Sequence, residues 1–234
     1  MTGDAPRLGE PGFLLPERKD RIDRAVAERT RTLTVVCEAF CDPQNVNAVL
    51  RTCDAFGVQE LHLIEGPMKP FDRNRKISQN ADKWLDVVRW SSTAECLGHL
   101  RGRGFRIAAT HLDEGAATLG EMSFAAPTAL VFGNEHRGVS DEALALADLR
   151  FAIPMRGFVQ SLNVSVAVAV ALARAVERRI EERGQHGDLG EADAAALRER
   201  FYLLAVKQRA RIAKAEAVEA RVLSGRAARR AKQG

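Results

Sequence analysis

The sequence predicts an α/β fold in which helices cover both faces of a mostly parallel sheet. Short segments rich in β-branched residues alternate with longer helical segments along most of the 234 residues. Strands that alternate with helices are joined by right-handed crossovers, which place neighbouring strands parallel. A hydrophobic share of 46% and a charged share of 28% are those of a globular protein with a substantial core.

Six segments are predicted as strands because they are short, apolar and followed by turn residues. In chain order they are Thr32–Phe40, Leu61–Ile64, Val87–Trp90, Phe105–Thr110, Ala129–Phe132 and Phe151–Ile153. Helical patterns lie between them, at Asn45–Phe56, Thr93–Arg103 and Ser140–Ala147. This alternation is typical of a parallel sheet with helices on both faces.

The segment after the last strand carries two conflicting signals. Its valines, Val164, Val166, Val168 and Val170, recur at every second position, which favours a strand. The pattern continues without a break into ALARAVERRIEER, which makes the segment longer than strands of such a domain. We therefore predict a buried helix, with Ser161 or Asn163 near its N-cap.

Outside this core the sequence predicts helices at both ends of the chain. One charged helix is expected over Pro16–Arg31, and GQHGDLG at 184–190 is expected to be a hinge. Two further helices are predicted near Ala192–Val206 and Gln208–Leu223, with Leu197, Phe201 and Leu204 on one apolar face. The predicted organisation has three parts: a leader and helix over 1–31, an α/β domain over 32–183, and a helical extension over 184–234.

The charge of the chain is concentrated at its C-terminal end. Residues 191–234 hold 11 Lys/Arg against 5 Asp/Glu, whereas the whole chain has a formal net charge of only +4. A solvated helix surface would account for such a run, and so would an arm that binds a polyanion such as RNA.

Several classes of protein are not supported by the sequence. No apolar run is long enough to span a membrane, and the N-terminus lacks the pattern of a secretory signal, so residues 1–15 are expected to be a short disordered leader. The four cysteines, at positions 37, 41, 53 and 96, lack the spacing of a zinc site and are expected to be free thiols, three of them buried, in a reducing cytosol.

Nucleotide and metal signatures are missing as well. The pair Gly102 and Gly104 precedes a strand instead of following one, so a nicotinamide reductase is not supported. There is no phosphate-binding loop of the Gly-x-x-x-x-Gly-Lys type and no Gly-x-Ser-x-Gly elbow. With five histidines in unsuitable positions, we expect no metal in the site.

Three polar segments, each beside a predicted strand, remain as candidates for chemistry. Residues 42–58 start a helix at Asp42-Pro43 and carry Asn45, with Arg51 inside an otherwise apolar stripe. Residues 129–140 expose Asn134, Glu135 and Arg137 between two glycines, and residues 151–163 contain Pro154, Gly157 and Ser161-Leu162-Asn163. Separately they could be a core arginine, a polar turn and a helix cap. Together they predict a ligand site, because the carboxyl ends of parallel strands meet at one edge.

These segments resemble a known family. The stretches NVNAVLRTCDAFGV, LVFGNEHRGVS and IPMRGFVQSLNVSVAVAVAL are similar to the three ordered motifs of the SpoU/TrmH branch of the SPOUT superfamily, the RNA ribose 2′-O-methyltransferases. The resemblance covers about residues 32–178. The flanking helices further resemble the subgroup that methylates a tRNA guanosine.

The resemblance implies a deep trefoil knot in the C-terminal part of the sheet, a homodimer with the active site near the subunit boundary, and S-adenosylmethionine as cofactor. The residues implied to contact the cofactor are Thr110, Leu112, Phe132, Gly133, Asn134, Ile153, Met155 and Leu162. Those implied to act on the ribose are Arg51, Asn45, Glu135, Ser161 and Asn163. The implied substrate is a tRNA guanosine, at position 18 of the D-loop; the cytoplasmic location is expected from the free thiols.

Two alternatives stay open at this stage. One is 2′-O-methylation of ribosomal RNA or of another tRNA nucleotide. The other is an RNA-binding protein that keeps the fold but is catalytically inert. The role of Arg51 is open as well, because a guanidinium normally stays protonated: it would act either as a base or as a cation that stabilises a developing alkoxide.

Overall fold

The computed structural model describes residues 14–65, 82–113 and 115–230, with the backbone alone for 211–230. The chain divides into two compact units. One unit is the α/β core, Ala27–Leu189, and the other combines the N-terminal segment up to Val26 with the chain from Gly190 onward.

The core contains a seven-stranded sheet in which every pairing is parallel. The strands are β1 Leu33–Glu38, β2 Glu60–Ile64, β3 Asp86–Trp90, β4 Arg106–Thr110, β5 Ala117–Thr118, β6 Thr128–Phe132 and β7 Leu149–Ala152. Their order across the sheet is β3-β2-β1-β6-β4-β7-β5. The predicted α/β fold is confirmed, and all six predicted strands are present. The sequence did not predict β5, because two residues carry no periodicity.

Helices pack on both faces of this sheet. They are α2 Pro43–Ala55, α3 Thr93–Gly102, α4 Asp141–Leu146 and α5 Val164–Arg183, and one 3₁₀ turn spans Asp82–Trp84. Successive strand residues point to opposite faces: Val35 belongs to the core layer that contains residues of α2 and α5, whereas Val36 belongs to the layer of α3 and α4. Each face of the sheet therefore has its own apolar core.

The valine-rich segment is helical, as predicted. Asn163, not Ser161, caps α5, and its side-chain oxygen accepts a hydrogen bond from the Ser165 N–H at 2.9 Å. Val168 is fully buried, whereas Val166 and Val170 are 46% and 39% exposed. The helical period thus overrides the alternation of the valines, because only one side of the helix faces the sheet.

A buried ion pair holds the chain after α5 against the start of β1. The Asp188 carboxylate accepts hydrogen bonds from the Arg31 N–H at 2.9 Å, from the hydroxyls of Thr30 and Thr32, and from Arg179 at 2.7 Å. The Arg179 side chain is fully buried. The segment predicted as a hinge is therefore anchored, since its carboxylate is fixed to the core.

The second unit is helical. It contains α1 Pro16–Ala27 and one continuous helix, α6 Glu191–Arg230, in place of the two helices predicted there. The predicted break near residue 207 is absent because no proline or glycine interrupts the sequence at that point. Asp23 forms a salt bridge with Arg198 at 2.9 Å and accepts a hydrogen bond from the Tyr202 hydroxyl at 2.7 Å.

The remaining expectations concern cysteines, membranes and the termini. All four cysteines are free and three are buried, as predicted; burial raises the pKa of the Cys53 thiol to about 12. Among the residues that the structure describes, no helix is long and apolar enough to cross a bilayer. The predicted disordered leader lies outside the described residues as far as position 13.

Candidate active site

A cleft of about 700 Å³ opens at the carboxyl ends of β4, β6 and β7. All eight residues predicted to contact the cofactor line it: Thr110, Leu112, Phe132, Gly133, Asn134, Ile153, Met155 and Leu162. Glu135, Ser161 and Asn163, three of the five residues predicted to act on the ribose, line it as well. Parallel strands bring these loops together, because their carboxyl ends meet at one edge of the sheet.

The loop after β6 has a backbone that only glycine permits. A Cβ atom at Gly133 would lie 2.1 Å from backbone atoms of Gly138, and Gly138 itself has a φ of +72°. The Gly138 N–H donates to the Asn134 carbonyl at 2.8 Å, which closes the loop on itself. The two glycines flanking Asn134–Arg137 therefore set the shape of this wall of the cleft.

Glu135 is the centre of a hydrogen-bonded cluster that joins the three predicted motifs. Its carboxylate accepts from the N–H groups of Cys41 at 2.9 Å and Asp42 at 3.2 Å, and from the Asn45 side chain at 2.8 Å. The Asn45 side-chain oxygen in turn accepts from the Asn163 amide at 3.1 Å. The structure thus brings Asn45, Glu135 and Asn163 together, from α2, the β6 loop and the cap of α5.

The carboxylate of Glu135 is held in its charged form. Burial acts to raise its pKa, but the hydrogen bonds donated by Cys41 and Asn45 outweigh burial and lower the pKa below the usual value. Its described hydrogen-bond donors are neutral groups. The site therefore contains a negative charge that backbone and amide dipoles stabilise.

The turn that leads from β1 into α2 supplies contacts that the sequence did not predict. Ala39 has a φ of +53°, a left-handed conformation that is uncommon for a residue with a Cβ. Its carbonyl accepts from the Asn134 side chain at 2.7 Å. The start signal Asp42-Pro43 indicated the helix, and the N–H groups that lack an intrahelical acceptor at a helix N-terminus were the available clue to an acceptor such as Glu135.

Arg51 is placed differently from the prediction. The buried side of α2 consists of Asn45, Val46, Asn47, Val49, Leu50 and Cys53, whereas Arg51 is exposed. Its inclusion in the apolar stripe was wrong, because a helix turns by about 100° per residue and Arg51 follows Leu50 by one such step. Arg51 and Asn45 are not among the residues that line the cleft; Asn45 reaches it through Glu135 and Asn163.

No group of three or more His, Cys, Asp or Glu side chains arranged to hold a metal ion occurs within the described ranges. The ring nitrogens and carboxylates near the cleft belong to His111, Glu135 and His136. The cleft combines apolar side chains with the hydrogen-bonded carboxylate of Glu135 and the side-chain amides of Asn134, Gln160 and Asn163. It is suited to binding and orienting a polar organic ligand.

Similarity to known proteins agrees with this geometry. Residues 32–173 match the SpoU rRNA methylase family. The tRNA (guanosine(18)-2′-O)-methyltransferase of Escherichia coli K12 is 41% identical over 155 residues, which are 65% of this chain and 66% of that protein.

Solved structures show the same fold. The crystal structure of the Aquifex aeolicus TrmH/SpoU tRNA modifying enzyme has a TM-score of 0.72 and 34% identity, and the match covers 80% of this chain and 95% of that one. The Streptomyces viridochromogenes methyltransferase AviRb, solved with AdoMet, has a TM-score of 0.58 and 26% identity over 66% of this chain and 62% of that one. The resemblance predicted from the three motifs is confirmed: this chain belongs to the SpoU rRNA methylase family.

Proposed function

We propose that this protein is an S-adenosylmethionine-dependent methyltransferase that methylates the ribose 2′-hydroxyl of guanosine 18 in the D-loop of tRNA. The observation that carries the proposal is the cleft: the eight residues expected at the cofactor all line it, beside the cluster of Glu135, Asn45 and Asn163. The name of the Escherichia coli relative supports the nucleotide and its position.

The cleft fits the cofactor by size and by chemistry. Its volume of about 700 Å³ lies within the usual range of ligand pockets, about 300–1,000 Å³. Leu112, Ile153 and Leu162 supply apolar surface for a purine ring, and the strand ends beside them supply backbone N–H and C=O groups for its polar edge. Bound here, S-adenosylmethionine supplies a methyl group that is already activated on a sulfonium.

The protein's own residues orient the reacting hydroxyl. Alignment alone can contribute about 7–11 kcal/mol to the lowering of a barrier. Glu135, held as a carboxylate, fixes the Asn45 amide, and Asn45 fixes Asn163. We assign these three residues, with Ser161, to positioning of the ribose and its phosphate.

Arg51 stabilises the oxygen that becomes negative as the hydroxyl loses its proton. A guanidinium keeps its proton at neutral pH, so electrostatic stabilisation suits it better than the role of a base. Its exposed position on α2 leaves it accessible to RNA and to a second subunit.

The proposed assembly is a homodimer. Four apolar side chains, Phe158, Val159, Val166 and Val170, are exposed at the start of α5 and just before it. Val166 and Val170 are four residues apart, so they lie on the same side of the helix. Exposed apolar surface of this kind is typical of an interface, and its proximity to Ser161 and Asn163 favours an active site at the subunit boundary.

The trefoil knot is also part of the proposal. Between β4 and β6 the chain passes β7 to form the edge strand β5. After β7 it continues into α5, which packs against α2. Such a path supports a knot in which the segment after β7 passes through the loop that contains β5.

We assign tRNA binding to the N-terminal helix, α1, and to residues 191–234, where basic residues exceed acidic ones by six. Deleting 191–234 is expected to weaken tRNA binding and to flatten its dependence on salt, because fewer counterions are released. An unchanged salt slope would reject this role. The proposed compartment is the cytoplasm, where the buried free thiols stay reduced.

Mapping the methylated nucleotide tests the function directly. The purified protein is incubated with S-adenosylmethionine and bulk tRNA from a strain that lacks this gene, and the products are digested and analysed by mass spectrometry. We expect 2′-O-methylguanosine at position 18. Methylation of ribosomal RNA or of another tRNA nucleotide would replace this assignment, and RNA binding without methyl transfer or cofactor binding would support the inert alternative.

Replacing Arg51 tests its role separately. Arg51→Ala is expected to lower single-turnover methylation by about 100-fold or more, the usual cost of removing a group that stabilises a developing oxyanion. Cofactor affinity measured by calorimetry is expected to stay within a few-fold. An equal loss of both quantities would show that Arg51 is structural.

A further inference from the structure

A second cleft, of about 770 Å³, lies across the β6 loop from the proposed cofactor cleft. It opens at the carboxyl ends of β1, β2 and β3. Asn134, His136, Arg137 and Gly138 line both clefts. One loop therefore forms a common wall, so a ligand that spans this wall can occupy both clefts at once.

The floor of this second cleft is apolar. Phe40, Val46 and Leu63 line it; Val46 and Leu63 are buried, whereas Phe40 is half-buried. Proteins recognise unstacked nucleobases by stacking on such aromatic surfaces and by bonding their edges. The apolar lining of the cleft therefore suits a planar base.

One carboxylate inside the cleft is already committed to the protein. Glu38 is buried and accepts hydrogen bonds from the Thr93 hydroxyl at 2.7 Å, and from the hydroxyl and N–H of Ser140 at 2.6 and 2.9 Å. These bonds tie the end of β1 to the starts of α3 and α4. Glu38 is thus a structural residue and an unsuitable partner for a ligand.

The carboxylate of Glu65, which also lines the cleft, differs in this respect. Glu65 follows β2 directly and is exposed, and among the residues that the structure describes it accepts a hydrogen bond from Arg89 at 2.9 Å through Oε1. A carboxylate has about four lone-pair sites, so Glu65 keeps the capacity to accept more. Arg89, at the end of β3, orients it, and both residues line the cleft.

We propose that this second cleft holds the guanine base of the nucleotide that is methylated, and that Glu65 selects guanine by accepting hydrogen bonds from its N1–H and 2-amino groups. The inference rests on the proposed function, since it places the base of that same substrate. Adenine would present an acceptor at N1, where guanine presents a donor. The Glu65 carboxylate therefore distinguishes the two purines.

The test compares two tRNA transcripts that differ in one exocyclic group. One carries guanosine at the methylated position and the other carries inosine, which lacks the 2-amino group. For the wild-type protein, kcat/KM is expected to be about 10-fold higher with guanosine, the usual discrimination of a well-placed base contact. For Glu65→Ala this ratio is expected to fall to near one, with S-adenosylmethionine affinity and the unfolding midpoint unchanged.

Glu142→Ala is the matched control, since Glu142 lines the same cleft from the first turn of α4 and carries the same charge. It is expected to keep the wild-type ratio. The proposal would be overturned if the wild type did not discriminate between the transcripts, if Glu65→Ala kept the ratio, or if Glu142→Ala abolished it. If the wild type neither bound the cofactor nor methylated the guanosine transcript, that result would instead contradict the proposed function.

Discussion

The parallel strands end at a carboxyl edge of the sheet and begin at an amino edge, and each of these edges contains a polar cluster around one carboxylate. The two clusters differ in the groups that contact this carboxylate. At the carboxyl edge, Glu135 accepts hydrogen bonds from backbone N–H groups and from the Asn45 amide. At the amino edge, Asp188 accepts from two threonine hydroxyls and pairs with the buried guanidinium of Arg179. Burial acts to raise the pKa of both carboxylates, and hydrogen bonds lower both; at Asp188 the charge of Arg179 adds to the lowering.

This difference distinguishes a cluster suited to binding a ligand, around Glu135, from a cluster that stabilises the fold, around Asp188. The charge of Asp188 is compensated by a cation that is itself buried, so this ion pair stabilises the fold. The charge of Glu135 is compensated only by dipoles among its described partners, which leaves it able to orient groups that enter the cleft. Open parallel sheets bind ligands at the carboxyl ends of their strands, and the positions of the two clusters agree with that rule.

The largest expected effect comes from breaking the amino-edge cluster. Asp188→Ala leaves the Arg179 guanidinium buried without its carboxylate, and loss of one partner of a buried ion pair costs about 3–5 kcal/mol. We expect a decrease of that size in the free energy of unfolding, measured with urea. Glu177→Ala, which removes an exposed partner of Arg174 on α5, is the control and is expected to change stability by about 0–1 kcal/mol.

Equal small decreases in the free energy of unfolding of Asp188→Ala and Glu177→Ala would contradict the comparison. The Arg179 side chain would then have another compensating group, and Asp188 would contribute no more than an exposed residue.

Glu135→Gln tests the carboxyl-edge cluster. The glutamine keeps the shape of the side chain but removes the charge that fixes Asn45, so we expect single-turnover methylation to fall by about 10- to 100-fold, since misplacing a reacting group has costs of this order. The free energy of unfolding is expected to change by about 1 kcal/mol, the value of one hydrogen bond. A large loss of stability with an unchanged rate would contradict the assignment of Glu135 to the site.

The dependence of stability on pH gives the smallest expected effect. Burial raises the pKa of Asp188, but hydrogen bonds from Thr30, Thr32 and Arg31 and the charge of Arg179 outweigh it, so the folded-state pKa is lowered. A lowered pKa stabilises the fold above the unfolded value, about 3.9 for Asp, and this stability is lost as the pH falls through the folded value.

We therefore expect wild-type stability to decrease below about pH 4, and Asp188→Asn to show a shallower decrease over the same range. Urea titrations between pH 7 and pH 3 would measure this. Parallel curves for the two proteins would show that Asp188 titrates alike in the folded and unfolded states.

The carboxyl edge could be predicted from the sequence, and the amino edge could not. Strand, turn glycines and polar residues adjoin one another in the motif after β6, so local pattern identifies the loop. Thr30 and Asp188 are 158 positions apart and belong to no motif, so nothing local indicates that they meet. The position of Arg51 was misjudged for a related reason. The apolar stripe of α2 was assumed to include Arg51 because it follows Leu50, but the buried face of α2 is narrower than this assumption requires.

The account depends most on the loop after β6 forming the wall of a cofactor site, and a calorimetric titration of S-adenosylmethionine into Gly133→Ala tests this most directly. The added Cβ would meet Gly138 backbone at 2.1 Å and must displace the loop, whereas Gly98→Ala, on α3 with no atom within 4 Å, is the matched control. We predict that Gly98→Ala binds as the wild type does and that Gly133→Ala loses binding while remaining folded by circular dichroism. Wild-type affinity in the folded Gly133→Ala protein would contradict the account.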